Sequence, residues 1–224
     1  MNKLCLSSFK ISYIRKWEID QLISQELYQF CERWFEKARA YQGNDIQTCF
    51  DRFFTWYVPY NRLYAELTLS WTRIGKVRIG NNIPDSLAAK KYVHDYLGTD
   101  SVWESLQNDP NSIGAIQIIR TLLENQTFSV KLDRLTGKPS PGKNQNLVET
   151  LNSENRDRKV SAIFDIVYSI RCNMFHGHKG FEAIQTEILI PVTIILQNLV
   201  SLLYQKMEND DIIGALAPEI FVTD

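Results

Sequence analysis

No two of the four cysteines, Cys5, Cys31, Cys49 and Cys172, are spaced C-x-x-C, and no second cluster stands at zinc-finger spacing. A chain of 224 residues has no need of disulfide staples, so the thiols are expected to be reduced, as in a cytosol. An excess of charge is also missing: 25 Lys and Arg face 26 Asp and Glu, a net charge of −1. The protein as a whole is therefore no polyanion binder, and contact with nucleic acid must come from local basic patches. There is no long unbroken hydrophobic run. The most apolar stretch, Ile188 to Leu203, is short for a span and is interrupted by Pro191, Thr193, Gln197, Asn198 and Ser201, so a buried helix without a membrane is expected. The N-terminus lacks a charged leader followed by an apolar run and a cleavage site, which again points to the cytoplasm. Strand signals are scarce, and neither an internal repeat nor a low-complexity tract is present.

What is present is helical spacing throughout, in a chain with 44% hydrophobic and 23% charged residues, which suits one large globular domain over 1–224. A first long helix is predicted from about Phe9 to Tyr41, closed by Gly43. Asn44 or Asp45 can cap the next, which carries Phe50, Phe53, Tyr57, Asn61, Tyr64, Thr68 and Trp71 on one face and should kink at Pro59. Residues 72–84 read as loop, followed by short helices near Asp85–Tyr96, Asp100–Leu106 and Asn111–Glu124. Lys131 to Lys143, with Gly137, Pro139, Pro141 and Gly142, is the clearest loop. A third long helix is predicted from Arg156 to Phe175, closed by Gly177 and Gly180, with Val160, Ile163, Val167, Ile170 and Met174 as its apolar seam. A fourth is predicted from Phe181 to Met207, ahead of an acidic tail. The expected architecture is all-α: four long helices (9–42, 45–72, 156–176, 181–207) in a bundle, with a helical insert over 73–155 between the second and third. Helices three and four should be antiparallel neighbours.

Chemistry concentrates in the segment 168–179, YSIRCNMFHGHK. Arg171 continues a stripe made by Phe164, Tyr168 and Phe175, where a cation among rings needs a partner or a task. Asp165, Ser169, Asn173 and His176 form a polar stripe beside it. His176 falls at the helix end, where the negative end of the dipole favours the imidazolium form.

Arg171, four intervening residues and His176 resemble the R-x4-6-H motif of HEPN domains, and Phe175-His176-Gly177-His178-Lys179 is similar to the end of that motif in prokaryotic members. Upstream, Trp56, Asn61 and Tyr64 resemble the W-x4-N-x2-Y helix of defence-associated HEPN proteins. The resemblance covers these two stretches. It implies a HEPN-like four-helix bundle and metal-independent endoribonuclease activity without a cofactor, in a toxin or antiviral defence effector. It also implies a homodimer in which two motifs build one composite site. RNA is then the substrate, and a regulatory RNA or an antitoxin protein is a possible controlling partner. In this reading Arg171 and His176 are catalytic, Asn173 assists, Lys179 and His178 touch RNA, and Asn61, Tyr64 and Asp165 support the site. The chain departs from the family pattern at Cys172, where Asn, Asp or His is common, and at His178, where some members carry a tyrosine that a partner nucleotidyltransferase modifies.

Two loops are basic: Arg73, Lys76 and Arg78 in one, and Lys131, Arg134, Lys138 and Lys143 in the other. Either could track RNA phosphates, and either could be merely solvated. Plainer readings stand beside the sharp ones. Arg171 could pair with Asp165 or Glu182 as a structural cation, His176 could cap its helix, and His176 with His178 and Asp165 could ligate a metal. His94, in a charged stretch, is expected to be exposed, and Cys172 to be a small packing residue. A non-catalytic HEPN module binding RNA, nucleotide or protein, and a purely structural helical dimer, are the competing functions.

Overall fold

The computed structural model describes residues 25–133, 135–175 and 183–210. Among these residues the chain is all-helical, and its one bridged pair is Leu132 with Pro139. Helix α1 covers 25–39 and presents Leu27, Cys31, Phe35 and Ala38 to the core in steps of four, four and three. The predicted start near Phe9 lies outside the described residues.

Helix α2, Ile46–Arg73, begins where the sequence says it should. The Asp45 carboxylate accepts from the Thr48 N–H at 3.0 Å and from its hydroxyl at 2.6 Å. The helix continues through Pro59 without ending there. Its buried face carries Phe53, Trp56, Tyr57, Tyr60, Leu63, Tyr64, Leu67 and Trp71. Asn61, expected on that face, is exposed. The stripe is centred on Tyr60, Tyr64 and Leu67, and one step past Tyr60 the helix has already turned toward solvent.

The stretch 85–97 is one helical element, α3: a turn at Asp85–Leu87, a π-helical segment Ala88–Tyr92, and Val93–Leu97. Gly98, at φ +83°, then turns the chain into α4, Thr99–Asn108. Asp109 caps α5, Pro110–Glu124, through the amides of Asn111 and Ser112. The loop from 125 ends at α6, Pro141–Leu151, which the sequence reading had left partly inside a loop. Pro141 and Gly142, taken as breakers, occupy the first turn, where a missing N–H costs nothing. Helix α7, Arg156–Phe175, starts where predicted and is helical to the last described residue before 176. A 3-10 turn, Ala183–Gln185, leads into α8, Thr186–Asn209.

Residues 73–155 do not form an appendage. Val93, Val102, Leu106, Ile119 and Leu123 join Tyr60, Ile163 and Leu199 in one continuous core. Helix α8 packs chiefly on α2 and α5, while α7 packs on α3, α4 and α6 and touches α8 only sparingly. The 183–209 stretch is long and apolar enough to cross a membrane by length and composition, but here Leu189, Leu196, Val200 and Leu203 are buried inside the protein.

Candidate functional site

Helix α7 presents two adjoining polar faces, and residues outside the long helices complete both. The first face gathers on Asp85, the opening residue of α3. Its carboxylate accepts from the Tyr64 hydroxyl through Oδ1, and from the Tyr168 hydroxyl at 2.9 Å and Arg171 Nη1 at 3.5 Å through Oδ2. Tyr64 comes from the buried stripe of α2, and Tyr168 and Arg171 are neighbours one turn apart on α7. The Arg171 guanidinium lies 4.6 Å from the Phe175 ring centre and 5.6 Å from that of Tyr57. Burial works against its charge, but the hydrogen bond to Cys172 and the neighbouring Tyr57 and Asp85 hold its pKa above the ordinary arginine value. Among the described residues only Nη1 finds acceptors, and Nε is enclosed without a partner, as is the Tyr57 hydroxyl. Burial pushes the pKa values of Tyr64 and Tyr168 up, and the hydrogen bonds to Asp85 push them further. All of these phenols are protonated donors at neutral pH.

Arg171 therefore pairs with Asp85, not with Asp165. The sequence offered one signal for Asp85, its position after Pro84 at a helix start. Nothing in the sequence tied it to a tyrosine twenty-one residues upstream or an arginine eighty-six downstream. His176, with His178 and Lys179, lies just beyond the described part of α7 and outside the described residues, as do Glu182 and Arg134.

The second face opens into a cleft of about 1150 Å³ between α3, α6, α7 and the 130–133 segment. At its floor Asp165 bonds Lys90 at 3.0 Å and also Lys131, while Lys131 Nζ donates to Ser169 Oγ at 2.9 Å. Burial alone would raise the pKa of Asp165, but the two ammonium groups outweigh it and hold the carboxyl below its usual range. Lys90 sits in the π-helical turn and was not singled out from sequence. Asn173 is buried, and its Nδ2 donates to the Val130 carbonyl at 2.8 Å, so this amide holds the cleft wall in place. Asn144 on α6 clamps the same segment. Its Oδ1 accepts from the amides of Val130 and Lys131, and its Nδ2 donates to the carbonyls of Lys131 and Ser140, all at 2.9 Å. That uses every hydrogen-bonding position of the amide.

His94, expected to be exposed, is buried against the Phe164 ring. Its Nε2 lies 2.9 Å from Thr99 Oγ1 and its Nδ1 lies 3.2 Å from Ser161 Oγ. Burial lowers its pKa, so it is neutral near pH 7. The α3 register turns the ring onto α7, where Asp157 Oδ1 also lies 3.5 Å from Nε2.

The basic loops divide. All three cations of the first loop are exposed: Arg73 pairs with Glu66 at 3.6 Å, Lys76 stacks on Trp71 at 3.6 Å, and Arg78 stands beside them. In the second loop Lys131 points into the cleft, Lys143 stands on its wall and Lys138 is exposed. Cys172 is half-buried beside Arg171 and lines the cleft, and Cys31 and Cys49 are buried free thiols. Among the described residues no three His, Cys, Asp or Glu side chains cluster as a metal site. Comparison of the chain with protein-family models, with curated proteins and with solved structures found no match.

Proposed function

We propose that this protein is a metal-independent endoribonuclease of the HEPN type, acting as a homodimer in cellular defence or as a toxin. The observation that carries the reading is Arg171: a half-buried, permanently charged guanidinium that, among the described residues, bonds through one nitrogen out of three and leaves Nε without a partner. A cation so held, five residues before His176, suits an oxyanion ligand. In the proposed reaction the 2′-oxygen attacks phosphorus and gives its proton to a histidine base. The bond from phosphorus to the 5′-oxygen breaks, and a second histidine protonates that leaving group. The products are a 2′,3′-cyclic phosphate and a free 5′-hydroxyl. Arg171 stabilises the charge that grows on the phosphorane, and one such stabiliser contributes about 3–4 kcal/mol. Two copies of the motif, one from each subunit, supply both histidines.

The test is cleavage of RNA in EDTA by the wild type, Arg171→Ala and His176→Ala. Loss of activity by about two orders of magnitude or more in both variants, with folding and oligomeric state intact, supports the reading. Variants as active as the wild type refute it. A second reading, a HEPN module that binds RNA, nucleotide or a protein partner without cutting, is favoured by one contact: Asp85 already neutralises Arg171.

A further inference from the structure

At the floor of the cleft the charges do not balance. Two ammonium groups, Lys90 and Lys131, share the single carboxylate of Asp165, and all three side chains are less than one third exposed. Screening is weak there, so an uncompensated positive charge is costly unless an anion joins it. Among the described residues the other carboxylates that line the cleft keep their charge but bond away from the floor. Asp95 pairs with Lys91, Asp157 accepts from Thr99, and Asp133 accepts from the amides of Leu135 and Thr136 in its own turn. Lys143 and Arg158 offset Asp133 and Asp157 along the walls, which leaves the excess positive charge at the floor.

Neutral side chains flank the cations. Ser169 Oγ touches Lys131 Nζ, and Tyr168, at the border between the two faces, lies 5.4 Å from Lys90 through its ring. The Lys131 backbone is held at both its N–H and its carbonyl by Asn144. Lys90 is held on the π-helical turn, whose Ala89 carbonyl accepts the Tyr60 hydroxyl. The site is thus built from three elements, and each is fixed by a buried amide or phenol. Two fixed ammonium groups beside a hydroxyl, open to a cleft, form a cradle for the tetrahedral oxygens of a phosphate.

We infer that the cleft floor formed by Lys90, Lys131 and Ser169 binds a phosphate group, with Asp165 setting its strength by partial neutralisation. The inference rests on the ribonuclease reading only for the source of that phosphate, a strand of RNA running from Arg171 past Tyr168 into the cleft. A free phosphate or mononucleotide would use the same chemistry.

The test measures binding, not cleavage, with a short single-stranded 2′-O-methyl oligouridylate that cannot be cut, by fluorescence anisotropy. Lys90→Gln and Lys131→Gln are expected to weaken binding about tenfold each, with a shallower salt dependence. Asp165→Asn moves the other way: it keeps the shape, removes the opposing charge and tightens binding several-fold. Damage to the fold would weaken binding in all three variants, so the opposite sign is the diagnostic result. Binding unchanged in all three variants, weakened in Asp165→Asn, or undetectable in the wild type overturns the inference. Competition by millimolar inorganic phosphate or uridine monophosphate assigns the site to a free phosphate, and its absence assigns the site to the strand. If ordinary RNA is not cut while these shifts appear, the ribonuclease reading falls and the phosphate site stands.

Discussion

Replacing Asp85 with alanine removes the one acceptor on which α2, α3 and α7 meet. The costs can be worked separately. Tyr64 is buried, and its hydroxyl would lose its acceptor where water has little access, which costs about 1–3 kcal/mol. Tyr168 is partly exposed and can turn to water, so its share is small. The ion pair with Arg171 is long, at 3.5 Å, and the Asp85 side chain is 43% exposed, which limits the pair to about 0–1 kcal/mol. The expected total is about 3 kcal/mol, and for a chain of this length that lowers Tm by ~6–12 °C. Urea denaturation of Asp85→Ala, Tyr64→Phe and the double variant separates the terms. The double variant should be more stable than the sum of the singles by ~1–2 kcal/mol, because Tyr64→Phe removes the donor that Asp85→Ala strands. A loss under about 0.5 kcal/mol in Asp85→Ala, or strict additivity, would show that the three helices are not joined through this carboxylate.

Two further perturbations follow from groups held by several bonds. Burial lowers the His94 pKa, so the folded state binds fewer protons than the unfolded state between that value and the ordinary one near ~6.5. Stability from this group is therefore complete above about pH 6.5 and lost as pH falls through the folded pKa. Thermal melts of the wild type should drop between about pH 7 and 5, and the drop should shrink in His94→Gln; an unchanged slope would refute the linkage. Asn144→Ala strands the amides of Val130 and Lys131 and should cost about 2–4 kcal/mol. Hydrogen exchange at these two amides should rise sharply, and unchanged protection would mean that the Asn144 clamp does not hold the cleft wall.

The all-helical character and most element positions were legible in the sequence because they rest on local rules. Apolar spacing near 3.6 residues, the Asp45 cap and the glycines around the loops placed α2, α5 and α7 within a few residues. Arg171 stood out for a local reason too, as a cation in an aromatic stripe. Helix α6 was lost because Pro141 and Gly142 signal loop and first turn alike. Asn61 falls on the exposed side because a period fixes a face only to within a residue, and His94 is buried despite its charged stretch because which edge of a helix meets a neighbour depends on packing.

The all-helical character and the placing of Arg171 five positions before His176 can be read from the sequence alone. Only the tertiary structure decided that Arg171 answers to Asp85, that Asp165 answers to Lys90 and Lys131, and that residues 73–155 belong to the core. The reason is physical. Helix formation depends on neighbours three and four residues apart, whereas an ion pair between residues eighty-six positions apart depends on how whole helices pack, and no short-range pattern encodes that.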